Sequence, residues 1–124
     1  MRDKVIDCSA MAAVVFAEPD GAAVAPLLDD ARLFAPPLLG FELGNTCVVK
    51  TRKRPEDAAG LERLYANRVS LRIETVDVDF GAAVQLALAT GLSAYDASYL
   101  WLARSLGAEL VTLDKKLARA AAAS

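Results

Sequence analysis

Strand-like and helix-like segments alternate along the whole chain, and this alternation limits the fold more tightly than any single motif. Short β-branched or apolar runs fall at residues 5–7, 33–35, 71–76 and 110–113. Between them lie stretches with helix start and stop signals. Ser9 is placed to cap a helix to about Ala17, broken by Pro19, Asp20 and Gly21, and Asp20 to cap a second helix to about Asp30. Pro36 and Pro37 end the second strand and start a long helix to about Arg52, since a first helical turn tolerates proline. Pro55 starts another, ending near Arg68. Asp79 caps a helix that Gly91 stops, Ser93 caps one that Gly107 stops, and residues 115–123 form the last. The pattern predicts an α/β domain with a short, central, mainly parallel sheet flanked by helices. In such sheets ligands bind at the carboxyl ends of the strands.

The 124 residues form one domain over 1–124, without repeats or a low-complexity linker. A hydrophobic fraction of 55% argues for a packed core, with apolar surface left over for an oligomer or a partner. The formal charge of -2 excludes global attraction to nucleic acid and leaves only a local basic patch. There is no histidine, which removes His-based acid–base catalysis, His-containing triads and most zinc sites. Cys8 and Cys47 have no metal-ligand spacing and read as small buried apolar side chains. Arg2, Lys4 and the apolar run at 10–17 faintly resemble a signal peptide, but Asp3 and Asp7 interrupt it. No run is long enough to span a membrane, so a soluble cytoplasmic protein is expected.

Four acids stand where the pattern points them inward or at a strand end. Asp7 closes the first strand and Asp114 the last; Glu42 interrupts an apolar stretch of the long helix, and Asp96 opens an almost wholly apolar helix. Taken singly, Asp7, Asp114 and Asp96 read equally well as helix caps, Asp96 at the capping-box spacing from Ser93. Glu42 is too deep in its helix to cap, and its helical neighbours are Leu38, Leu39, Asn45 and Thr46. The helix of Asp96, with Tyr95, Tyr99, Leu100, Trp101 and Leu102, is expected to lie in the interior or an interface, so that its first turn meets the interior. Buried carboxylates are costly unless paired, and no Lys or Arg adjoins Glu42 or Asp96 in sequence. A divalent cation is the simplest common partner. Oxygen ligands suit Mg²⁺ or Mn²⁺, which activates water and stabilises charge on a phosphodiester without any histidine. Substituting Asp7 by Ala or Asp96 by Asn is expected to leave folding intact and to relieve carboxylate repulsion.

The ordered segments Val5-Ile6-Asp7-Cys8-Ser9, Phe41-Glu42-Leu43-Gly44-Asn45, Tyr95-Asp96-Ala97-Ser98-Tyr99 and Leu110-Val111-Thr112-Leu113-Asp114 resemble the PIN domain. More narrowly, the length and motifs resemble VapC toxins of bacterial toxin–antitoxin pairs. The resemblance covers essentially the whole chain and implies a PIN-like three-layer fold and a Mg²⁺- or Mn²⁺-dependent endoribonuclease. It matches Asp7, Glu42, Asp96 and Asp114 to the family's catalytic and metal-binding acids, with Asp7 and Asp96 as direct ligands. Ser9 and Thr112 match positions near the metal, and Asn45 a polar position one turn past the helical acid. It further implies a homodimer and a VapB-like antitoxin, bound in a hetero-oligomer, whose C-terminal segment lays a basic side chain near the acids. Cys8 departs from the small residues usual at its position.

Lys50, Arg52, Lys53 and Arg54 form the only dense basic run. Cations at a helix C-terminus offset its dipole, and the same residues could contact RNA phosphates, with Arg63, Arg68 and Arg72 widening the patch. Tyr95 and Tyr99 could stack on bases or pack in the core. Two other readings stay open. One is a different Mg²⁺-dependent phosphohydrolase or a receiver domain, although a haloacid-dehalogenase phosphatase wants an Asp where Ser9 stands, and the receiver's early paired acids and late Lys are missing. The other is a non-nucleolytic PIN-like RNA-binding protein.

Overall fold

The computed structural model describes residues 1–123. Its centre is a four-stranded sheet of β1 (Arg2–Ile6), β2 (Ala31–Ala35), β3 (Glu74–Thr75) and β4 (Glu109–Val111), ordered β3-β2-β1-β4. Every pairing is parallel: Val5 of β1 faces Phe34 of β2, Ile6 faces Val111 of β4, and Ala35 faces Thr75 of β3. Parallel neighbours need crossovers, and helices supply them. They are α1 (Cys8–Val15), α2 (Gly21–Val24), α3 (Leu38–Lys53), α4 (Ala58–Ala66), α5 (Phe80–Thr90), α6 (Ala94–Leu106) and α7 (Lys115–Ala122). Successive residues of a strand face opposite sides, yet Val5 and Ile6 are both fully buried. Helices therefore cover both faces of β1, which makes three layers.

The core joins Val5, Ile6, Leu33 and Phe34 of the sheet to Leu39 and Leu43 of α3 and Tyr99, Leu100 and Leu102 of α6. Burying each such aliphatic side chain contributes about 1.5–3 kcal/mol relative to exposure. This fixes α3 and α6 against the sheet, and with them the acids they carry. Gly21 seats α2 on α1, because a Cβ there would stand 2.3 Å from the Ala13 carbonyl oxygen.

Several local expectations need correction. Asp7, not Ser9, caps α1, its carboxylate accepting from the Ala10 N–H. Asp20 makes no side-chain cap, and the second helix shrinks to α2 and a 3-10 turn over Ala25–Leu28, because Pro26 cannot continue the α-helical ladder. The helix after Pro55 is α4 between two 3-10 segments, Pro55–Asp57 and Asn67–Leu71. The strand at 71–76 shortens to β3: Arg72 takes a left-handed φ of 51°, and Leu71 and Ile73 reach the core from a turn. Cys8 and Cys47 are free thiols and only half-buried. α6 is buried from Ala97 to Leu100, whereas Ser93 to Tyr95 in its cap and first turn are exposed. The apolar pattern of α6 thus describes its body and not its start.

Candidate active site

Strand register assembles the first half of the site. Because Ile6 pairs with Val111, the residues that follow them leave the sheet side by side, and the Asp7 N–H donates to the Val111 carbonyl at 3.1 Å. Asp7 is buried with both oxygens engaged. Oδ1 accepts from Ser9 Oγ at 2.7 Å and from the Ala10 N–H at 3.0 Å, while Oδ2 accepts from Thr112 Oγ1 at 2.5 Å. The same hydroxyls accept from the other strand end: Ser9 Oγ from the Leu113 N–H at 2.9 Å and Thr112 Oγ1 from the Asp114 N–H at 3.0 Å. Asp114 caps α7, its Oδ1 accepting from the Leu117 N–H at 2.9 Å. One hydrogen-bonded network thus ties the end of β1 to the end of β4.

Two helices bring the other acids. Glu42 lies in the second turn of α3, half-buried, and its Oε1 accepts from the Tyr99 hydroxyl at 2.5 Å. Asp96 lies in the first turn of α6, where its backbone N–H is capped by Ser93 Oγ at 3.0 Å. Its carboxylate accepts no hydrogen bond among the described residues.

Electrostatics joins the two halves. Burial raises the Asp7 carboxyl above its ordinary value; bonds from Thr112, Ala10 and Ser9 pull it back, and the Asp114 charge pushes it up again. Burial also raises Glu42, opposed by its bond from Tyr99 and reinforced by Asp96 and Asp7. Asp96 is raised by burial and by the charges of Asp114 and Asp7, and lowered by Lys116. The four acids, from four separate elements, therefore act on one another as a single anionic cluster. Beside it, burial pushes the Cys8 thiol up to about 11, so it stays protonated at neutral pH.

These residues fit a hard divalent cation by donor chemistry. Oxygens of Glu42, Asp96 and Asp114 remain without hydrogen bonds among the described residues, and a cation would offset the burial and the repulsion that together raise the Asp7, Glu42 and Asp96 carboxyls. No three His, Cys, Asp or Glu side chains among the described residues cluster tightly enough to enclose an ion by themselves. Mg²⁺ does not require such a cage: one or two carboxylates commonly hold it, with waters and substrate phosphates completing its octahedron.

The remaining candidates lie apart. Asn45 is exposed and lines a groove of about 790 Å³ with Gly40, Phe41, Val48 and Tyr65, without a hydrogen bond to the acids. The basic run sits at the far end of α3, Lys53 being roughly 16 Å along the axis from Glu42 at 1.5 Å per residue. Lys50 pairs with Glu18 at 3.5 Å and lies over the Phe16 ring, and Arg54 pairs with Asp57 at 3.9 Å. Arg52 and Lys53 are exposed. Of the additional arginines, Arg68 stacks on Tyr65 with its guanidinium 3.9 Å from the ring centre.

Sequence reasoning missed two participants. Tyr99 packs in the core, as one of its two sequence readings has it, but its hydroxyl also binds Glu42, which neither reading foresees. The signal was available: a buried tyrosine hydroxyl needs a partner, and Tyr99 stands three residues after Asp96 on one helical face. Lys116 went unnoticed beside Lys115; its Nζ donates to the Gly91 carbonyl at 2.6 Å and acts on Asp96.

Comparison with known proteins agrees with this fold. A family model described as PIN domain matches residues 4–123. Ribonuclease VapC3 of Pyrobaculum aerophilum is 31% identical over 119 residues, covering 92% of this chain and 91% of that protein. The crystal structure of PAE2754 from Pyrobaculum aerophilum superposes with a TM-score of 0.78 at 26% identity, over 96% of this chain and 84% of that one.

Proposed function

We propose that this chain, which belongs to the PIN domain family and to its VapC-type members, is a Mg²⁺- or Mn²⁺-dependent endoribonuclease acting as the toxin of a toxin–antitoxin pair. The observation that carries the reading is the anionic cluster itself: Asp7 and Asp114 just past the ends of β1 and β4, with Glu42 of α3 and Asp96 of α6, lie at the carboxyl rim of a parallel sheet, where burial and the neighbouring charges together raise the Asp7, Glu42 and Asp96 carboxyls. Nothing about core packing calls for that concentration of like charge.

In this reading Asp7 and Asp96 are the principal ligands of the cation, and Glu42 and Asp114 would offer it further carboxylate oxygens from the same rim. When bound, a divalent cation supplies Lewis acidity toward water and toward the scissile phosphodiester. Ser9 and Thr112 hold Asp7 in one orientation, each donating to one of its oxygens. With its hydrogen-bonding capacity partly used, Asp7 serves as a fixed ligand rather than a mobile base. The Asp96 carboxylate, half-buried and without a hydrogen bond among the described residues, is free to adjust. Arg52 and Lys53, exposed at the end of α3, are free to meet RNA phosphates at a distance from the rim.

A VapB-like antitoxin fits the surface next to the acids, in a toxin–antitoxin hetero-oligomer. Phe41 and Tyr95, the sequence neighbours of Glu42 and Asp96, are 81% and 64% exposed and line a cavity of about 350 Å³ with Phe80. Apolar surface of this kind supports a partner segment, and the adjoining anionic rim favours a basic side chain on it. The homodimer draws on the same surplus of exposed apolar residues, and the cytoplasmic assignment is in keeping with the absence of a membrane-crossing helix among the described residues.

The test is cleavage of total RNA by purified protein in Mg²⁺ or Mn²⁺, with cut sites mapped. The expected result is discrete cuts that disappear with a chelator and in Asp96→Asn. Unchanged cleavage by purified Asp96→Asn protein would overturn the mechanism. Cell growth gives a second arm: expression alone should arrest growth, and an equally toxic Asp7→Ala form would mean that the toxicity is not nucleolytic.

A further inference from the structure

Tyr99 is 1% exposed, and the core packing of α6 fixes its ring. Among the described residues its hydroxyl is the one group that holds the Glu42 carboxylate, 57 residues away in sequence, at 2.5 Å on Oε1. Glu42 projects from α3 on a side chain with three free torsions, so without this bond its carboxylate would sample many positions. With the bond, Oε1 is committed, while Oε2 accepts no hydrogen bond among the described residues. Tyr99 also lies three residues after Asp96, so α6 presents a candidate ligand and the clamp of another acid from one face.

We infer that Tyr99 is a positioning residue, its hydroxyl holding Glu42 so that Oε2 is the oxygen offered to the divalent cation. The inference rests on reading the acidic rim as a divalent-cation site. The competing account is that a buried phenol merely found an acceptor. That account predicts a loss of stability on removing the hydroxyl, with cation affinity untouched.

The experiment is calorimetric titration of Mn²⁺ alone, without RNA, into the full-length protein as wild type, Tyr99→Phe, Glu42→Gln and the double variant. Orienting residues behind metal ligands typically contribute about 10–100-fold in affinity, and Tyr99→Phe should weaken Mn²⁺ binding by that factor. In the Glu42→Gln background the same change should weaken it no further, because the hydroxyl acts through Glu42. Wild-type affinity in Tyr99→Phe, or losses that add in the double variant, would overturn the inference. Glu42→Asp keeps the phenol intact and draws the carboxylate one methylene away from it; adding Tyr99→Phe to Glu42→Asp should then cost no further affinity, and a further loss would overturn the inference. Asp96→Asn, titrated in parallel, separates the two levels. Full Mn²⁺ binding there would overturn the cation site itself, whereas lost binding there with intact binding in Tyr99→Phe would overturn only the role of Tyr99.

Discussion

The two halves of the acidic rim use the same carboxylates and hold them by opposite means. At the strand ends, Asp7 accepts three hydrogen bonds, and the hydroxyls of Ser9 and Thr112 each reach both strand ends. On the helices, Glu42 has one bond from Tyr99 and the Asp96 carboxylate has none among the described residues. The first half is part of the fold, since removing the Asp7 carboxylate uncaps α1 and deprives the Ser9 and Thr112 hydroxyls of their acceptor. The second half is attached to the fold and adjustable. A site that must grip a cation and then admit an RNA phosphate gains from one fixed wall and one that can move.

Activity should show the largest effect and should ignore this difference. Asp7→Asn and Asp96→Asn are each expected to lower RNA cleavage by more than about 100-fold, beyond the usual upper end for residues that only support ligands. A cleavage assay in Mn²⁺ that found one of them near wild type would break the symmetry of the two halves.

Stability should separate them. Asp7→Ala leaves Ala10 N–H and the Ser9 and Thr112 hydroxyls without their acceptor, and should cost about 1–3 kcal/mol in denaturant unfolding. Asp96→Asn removes repulsion from Asp114 and Asp7 and should leave metal-free stability equal or higher. The sequence-based expectation treated the two substitutions alike; the hydrogen bonds divide them. Equal stability of both variants would contradict the proposed division of the rim.

A cap outside the rim calibrates the scale. Asp79 caps α5 through a 3.0 Å bond from the Ala82 N–H, so Asp79→Ala should cost about 0.5–2 kcal/mol while leaving RNA cleavage at the wild-type rate. Lost cleavage there would show that destabilisation alone abolishes activity.

The smallest effect is on pH dependence. Asp7, Glu42 and Asp96 all have raised values in the fold, so between their ordinary values of 3.8 and 4.5 and those raised values the folded state binds more protons than the unfolded one. Their contribution is fully present at low pH and is lost as pH rises through the raised values. In chelator, Tm should therefore fall from mildly acidic to neutral pH. Asp96→Asn should flatten that slope, and an identical slope in wild type and variant would remove Asp96 from the coupled cluster.

The comparison also explains what the sequence could tell. Alternating strand and helix signals predicted the parallel sheet, and caps and stops at Asp79, Gly91, Ser93 and Gly107 were legible because they act within four residues. Asp7 and Asp114 were legible as strand-end acids, and both also cap helices, so the two readings of them were never exclusive. The links that build the site were not legible. Thr112 meets Asp7 across 105 residues and Tyr99 meets Glu42 across 57, and no local pattern encodes such pairings. The run at 71–76 misled for a related reason: its apolar alternation is satisfied by a left-handed turn at Arg72 as well as by a strand.

The most direct measurement is thermal unfolding of purified wild-type and Asp96→Asn protein with increasing Mn²⁺. A cation that binds the folded rim alone must raise the Tm with concentration. The account predicts a concentration-dependent rise in wild type and its loss in Asp96→Asn. No rise in wild type, or the same rise in both proteins, would contradict it.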